Sequence, residues 1–154
     1  MILRCLTALA LACLAVGTTL AAEGPPEHRA GEIVWTSGGI GDEELALLRA
    51  KAARFNLQLT FALGARGEYA ADVGVVIKAG GRALVEAVAD GPLFFAALPA
   101  GRYRVVTTYR GEAGVTPVTI EGKRPVRASI RWKRTDAEDP SGPAIPVDGP
   151  RTPR

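Results

Sequence analysis

An antiparallel β-sandwich of seven short strands, with one amphipathic helix packed on it, is the fold this sequence predicts. Three observations lead there. From residue 57 onward apolar side chains recur at every second position, the period of a strand buried on one face. Glycine, proline and aspartate interrupt these runs roughly every 8 to 12 residues, the turn spacing of a sandwich. One earlier segment carries a helical period instead.

The helix opens at Ile40-Gly41-Asp42-Glu43-Glu44-Leu45. Gly41 serves as N-cap, three acids face the positive end of the dipole, and Ile40 is placed to close on Leu45 as a hydrophobic staple. Leu45, Leu48, Ala52 and Phe55 then form one apolar stripe, with Arg49, Lys51 and Arg54 mainly away from it. Burying Leu45, Leu48 and Phe55 stabilises by roughly 1.5–3 kcal/mol each, so the helix is expected to dock.

The first strand places Leu57, Leu59, Phe61 and Leu63 on one face and Gln58, Thr60 and Ala62 on the other. Val73, Val75 and Ile77 form the next inward row. Gly80-Gly81 then turns the chain into Arg82–Ala89, because glycine accepts the positive φ of a primed hairpin turn. Asp90-Gly91-Pro92 breaks the chain, residues 93–98 are short and apolar, and Pro99-Ala100-Gly101 turns again. Residues 103–109, 115–121 and 126–133 complete the seven. In the last, Val126, Ala128, Ile130 and Trp132 alternate with Arg127, Ser129, Arg131 and Lys133.

Around this body of residues 33–134 lie three other segments. Residues 1–22 carry Arg4, an apolar run over 6–16, and the small residues Thr19, Ala21 and Ala22, the order of a secretory signal peptide cut after Ala21 or Ala22. The apolar run is too short for a membrane span, which needs about 20 residues. Cys13 is a poor lipid acceptor, since Ala10 stands where a large aliphatic residue is needed. Residues 23–32 (EGPPEHRAGE) read as a polar, flexible lead-in. Residues 135–154 hold five prolines and no aromatic residue; such a segment cannot bury enough apolar surface to order itself, and disorder is expected.

Composition narrows the function further. The chain has 154 residues, 19 Lys+Arg, 16 Asp+Glu, one His and two Cys. Both cysteines, Cys5 and Cys13, fall in the signal segment, so the exported form would contain no thiol and a single imidazole, His28. That argues against disulfides, a cysteine nucleophile, thiolate-bound zinc and histidine chemistry. Loss of Arg4 leaves a net charge of +2 from the original +3, too small for a nucleic-acid binder. No metal or cofactor is expected.

Over residues 72–111 the pattern is a strand, a glycine turn, an Asp-Gly break, a short apolar strand, then Leu-Pro-x-Gly-x-Tyr and a strand. It is carried by Val73, Val75, Ile77, Gly81, Asp90, Gly91, Leu98, Pro99, Gly101, Tyr103 and Val105. This stretch of about 40 of the 154 residues resembles the carboxypeptidase regulatory-like, or transthyretin-like, β-sandwich domain. Pro92 departs from the usual run after Asp-Gly. The signal segment, residues 37–44 and the helix together also resemble small exported bacterial proteins carrying such a domain. The resemblance implies a non-catalytic accessory fold.

Several motifs lose their chemistry on inspection. Gly38-Gly39-Ile40-Gly41 before a helix suggests a phosphate cradle, but it runs into three carboxylates that would repel the anion. Tyr109-Arg110-Gly111 is similar to the Tyr-Arg-Gly-Ser ending of transthyretin-like hydroxyisourate hydrolases, where the tetrapeptide is C-terminal and works with histidines. Here Glu112 replaces the serine and about 40 residues follow. Asp42, Glu43, Glu44, Asp72 and Asp90 lack the spacing of a calcium loop and suit dipole and turn roles.

What remains is a candidate basic face. Arg104 and Arg110 on one strand, with Arg127, Arg131 and Lys133 on another, oppose the apolar rows; if the two strands share a sheet, five cations line one surface. Such a face is either a solubilising exterior or a groove for an anionic envelope polymer or an acidic protein partner. Trp35, Tyr69 and Trp132 are the aromatic residues available to a carbohydrate-binding module, although Trp132 falls in the inward row. The expected protein is therefore periplasmic or secreted and acts by binding or structural support. A glycan-binding module and a hydrolase of other type are the alternatives. Val126→Asp would place a charge in the inward row and is predicted to unfold the domain. An unchanged melting curve would mean that the faces are reversed.

Overall fold

The computed structural model describes residues 24–122 and 124–133; the expected signal segment and tail lie outside them. Two sheets pack face to face. The first contains β1 (Glu27–Ala30), β2 (Ile33–Gly38), β3 (Leu57–Leu63), β4 (Glu68–Tyr69), β7 (Leu93–Ala97) and β10 (Val126–Trp132), in the order β1-β2-β7-β3-β10 with β4 paired to β3. The second contains β5 (Val73–Ala79), β6 (Arg82–Ala89), β8 (Gly101–Tyr109) and β9 (Glu112–Ile120), in the order β6-β5-β8-β9.

The described strands thus number ten rather than seven. Three segments supply the difference. Residues 27–30 of the expected lead-in pair with β2 from Glu27↔Thr36 to Ala30↔Ile33, and β4 is a two-residue extension beside β3. β2 itself reads poorly as a strand because Thr36, Ser37 and Gly38 replace the apolar alternation, yet all three are buried. Nor is the sandwich wholly antiparallel. β10 runs parallel to β3 from Val126↔Leu57 to Trp132↔Leu63. Backbone bonds bracket that pair at both ends, from Val126 N to Asn56 O at 2.8 Å and from Gly64 N to Trp132 O at 2.9 Å.

The core lies between the sheets. Leu57, Leu59 and Phe61 of β3 and Phe94 of β7 meet Val73, Val75 and Ile77 of β5 and Val105 of β8, all fully buried. Each contributes roughly 1.5–3 kcal/mol of transfer free energy. Trp132 closes one end against Phe61 and Tyr109, with ring centroids at 6.1 and 5.4 Å. Val126, Ala128 and Ile130 pack half-buried along the same cluster.

The helix α1 (Asp42–Lys51), continued by a 3-10 turn over Ala52–Arg54, covers part of the first sheet's outer face. There Leu48 and Phe55 bury against Leu93 and Phe95, forming a second, smaller core. This explains the unbroken apolar run of β7: Phe94 and Ala96 face the inner core, while Leu93 and Phe95 face the helix. The helix start departs from expectation in one respect. Ile40 is 62% exposed and makes no staple with Leu45. Gly38, Gly39 and Gly41 all have positive φ, a path that turns Ile40 outward. Glu44 instead ties down the loop leading into the helix, its Oε2 accepting from Gly39 N at 3.1 Å and Ile40 N at 2.8 Å.

Two turns and one side chain lock the layers. Gly80 and Gly81 (φ 56° and 85°) form the β5–β6 hairpin turn. At Gly91 any Cβ would run into the Gly38 carbonyl, so the Asp-Gly break is where β2 and the chain entering β7 touch. Asn56 donates from Nδ2 to Leu98 O at 2.8 Å and to Gly122 O at 3.3 Å, and accepts from Leu98 N at 2.9 Å. One amide thereby ties the segments after β7 and β9 to the start of β3.

The Leu98-Pro99-x-Gly101-x-Tyr103 segment acquires a physical basis as well. Tyr103 is buried and donates its hydroxyl proton to Pro99 O at 2.8 Å, pinning the turn before β8. Burial pushes its phenol above the ordinary 10.0. The folded state therefore holds that proton more tightly than the unfolded chain does. The associated stability is complete below the ordinary value and is lost as pH rises through the raised folded one. Tyr103→Phe is expected to lose about 1 kcal/mol at neutral pH and to flatten the alkaline decline, measured as urea midpoints at neutral pH and at about pH 11.

Candidate functional site

The helix shields β7 but not β10, and the uncovered strip of the first sheet's outer face becomes a groove. Alternation aims Gln58 and Thr60 of β3 outward, and the parallel register sets Arg127 beside Gln58, Ser129 beside Thr60 and Arg131 beside Ala62. Across β3, β4 places Tyr69 beside Ala62. The helix wall adds Arg49. The resulting cavity of about 460 Å³ has Leu93 and Phe95 at its floor and Arg49, Gln58, Thr60, Tyr69, Arg127 and Ser129 around it.

Its geometry is organised by Gln58, which is largely buried. The Nε2 donates to the carbonyls of Ala52 at 2.9 Å and Phe55 at 3.2 Å, fastening the end of the helical segment to the sheet. Its Oε1 accepts from Arg127 Nε at 3.0 Å. That bond fixes one edge of the guanidinium and leaves the fork of terminal nitrogens for another acceptor. On the opposite wall Arg49 Nη2 lies 3.5 Å from the Tyr69 hydroxyl, and Tyr69 is 53% exposed. Arg131 extends toward the 64–67 turn, 3.6 Å from the position a Cβ on Gly67 would take. Among the described residues no carboxylate forms an ion pair with Arg49, Arg127 or Arg131; Glu27 takes the nearby cations Lys51 and Arg54, the latter at 2.6 Å.

The five cations of the expected basic face are not brought together. β8 and β10 belong to different sheets, so Arg104 lies on the outer face of the second sheet, opposite Arg127 and Arg131. Lys133 is exposed just beyond β10. Arg110 occupies the β8–β9 hairpin turn at φ 46°, its guanidinium 5.6 Å from the Tyr109 ring centroid. The Tyr-Arg-Gly motif is thus a turn with a stacked arginine.

The aromatic candidates divide in the same way. Trp132 is core, and half-buried Trp35 is stacked between His28 at 4.2 Å and Phe94 at 5.3 Å. Tyr69 alone of the three opens into the groove. Arg49 and Gln58 are the site residues that sequence reasoning missed. Arg49 was legible only as a cation off the apolar stripe, and a lone glutamine in a strand carries no signal of its bonds to the helix end. The glycine loop before the helix is not an empty cradle, since Glu44 occupies its amides. Among the described residues no three His, Cys, Asp or Glu side chains gather as a metal set.

Gln58→Leu should separate the helix end from Arg127. Loss of the partners to two carbonyls and one guanidinium is expected to cost roughly 1–3 kcal/mol, read as a lower urea midpoint.

No protein-family model matches this sequence, and no curated protein matches it either.

Proposed function

We propose that this chain is an exported, non-catalytic binding module of the carboxypeptidase regulatory-like type, and that the groove between α1 and β10 takes an anionic envelope polymer. The observation that carries the reading is Arg127, fixed through Nε by Gln58 beside Arg49 and paired with no described carboxylate. Two guanidiniums on facing walls suit a ligand with repeated negative charge. Among the described residues the lining offers hydroxyl, amide and guanidinium groups without a carboxylate or imidazole, a set that binds more readily than it moves protons. Export is supported by the order of charge, apolar run and small residues over 1–22. The family reading is supported by the two-sheet sandwich and by the Tyr103–Pro99 bond within its strongest motif.

A glycan-binding reading is favoured by one observation, the open Tyr69 ring at the groove wall. Apolar sugar faces stack on such rings. The two readings separate by salt, since ring stacking persists where charge pairing is screened.

The test is retention of envelope polysaccharides on the immobilised protein at low and high salt. Retention at about 50 mM salt that collapses at several hundred mM, and falls about tenfold in Arg127→Ala, is the expected result. Salt-resistant retention lost in Tyr69→Ala would favour the glycan reading. No retention at low salt would overturn both.

A further inference from the structure

On the opposite side of the sandwich, β5 and β8 set two cations directly side by side. The register pairs Lys78 with Arg104, and Arg102 follows two residues along the same outward row of β8. Like charges at facing positions of neighbouring strands are destabilising. Among the described residues no ion pair reaches Lys78, Arg102 or Arg104; the nearest acids by register are Glu86, opposite Val76 on β6, and Glu121, two residues beyond the Thr119 that faces Arg102. The three cations edge a depression of about 390 Å³ whose rim includes Gly80 and Gly81, so no hairpin side chain closes its mouth.

We propose that this depression is a second anion site, built for a phosphate group. Lysine and arginine side chains are donors without acceptors, and among the described residues of the lining Thr119 adds a hydroxyl beside the inward-bonded Tyr103. A donor set of three cations is matched by a group with three acceptor oxygens and nearly two charges, as a phosphate monoester has. A carboxylate, with a single charge, would leave two of the three cations uncompensated, whereas a phosphate monoester leaves about one. The site stands apart from the α1–β10 groove, on the other sheet, and does not depend on what that groove binds.

Phosphate chemistry has two sources here, a soluble phosphorylated molecule or a lipid headgroup. The full chain would be titrated with inorganic phosphate and pyrophosphate at low salt, and separately sedimented with vesicles of phosphatidylcholine with and without phosphatidic acid. Arg104→Ala and Lys78→Ala are the variants, with Arg29→Ala, an exposed cation on β1 of the other sheet and outside both depressions, as the control. The expected result is binding that falls about tenfold in either of the first two variants and is unchanged in the control. Removing one of the two facing charges should leave the melting temperature equal or higher, which shows that the fold is kept. Binding to soluble phosphates, lost in Arg104→Ala, supports the proposal with a soluble ligand. Binding confined to phosphatidic acid vesicles, and lost in the same variant, supports it with a lipid. Absence of binding in both arms overturns it, as does binding that survives in both Arg104→Ala and Lys78→Ala.

Discussion

β3 is enclosed except at half-buried Thr60, which faces the groove, and the rest of the structure depends on that enclosure. Its inward row of Leu57, Leu59 and Phe61 is fully buried against the second sheet. Its outward Gln58 is buried beneath the end of the helical segment, and its edges are taken by β7 and β4 on one side and β10 on the other. Few polar groups survive such a position without partners. Gln58 survives because the two carbonyls at the helix end and the Arg127 guanidinium together use both ends of its amide. The requirement to satisfy one buried amide thus positions a cation at the groove.

The two outer faces have different characters as a result. On the first sheet the helix supplies a wall, and cations, hydroxyls and one open tyrosine face each other across an apolar floor. No described helix covers the second sheet, and its outward rows are presented directly: Lys78 beside Arg104, and Val88 and Val115 more than half exposed. Facing cations without carboxylate partners recur on both. In a chain with 16 acids against 19 basic residues, this is a matter of placement rather than of overall charge. Two of the acids are engaged elsewhere, Glu44 at the loop amides before α1 and Glu27 at Lys51 and Arg54.

Where one face is buried and the other solvated, the sequence was readable. β10 alternates cleanly because its outward residues meet the groove, and β5 with its Gly80-Gly81 turn follows the same rule. Legibility failed where both faces are covered or where burial is polar. β2 places Thr36 and Ser37 in the interior, a pattern indistinguishable from a loop. β1 is a short, exposed strand whose only recommendation is its partner. The expected basic face failed for a different reason. Alternation tells which side of a strand a residue lies on, but not which sheet the strand joins, and β8 and β10 joined different ones. Gln58 and Asn56, the two amides that tie the layers, are single residues whose bonds are made over distances in sequence that no local pattern records.

The parallel pairing of β10 with β3 has a consequence for how the protein is made. β3 lies near the beginning of the sandwich and β10 is its last described strand, with Leu57 matched to Val126. During synthesis one edge of β3 must wait, unpaired and apolar, until residues 126–132 have emerged. Distant pairings of this kind slow folding and leave intermediates prone to association. Ribosome-bound or truncated chains ending before residue 126 carry an open template for aberrant strand addition, so the nascent protein depends on whatever holds it apart from its neighbours until the final strand arrives.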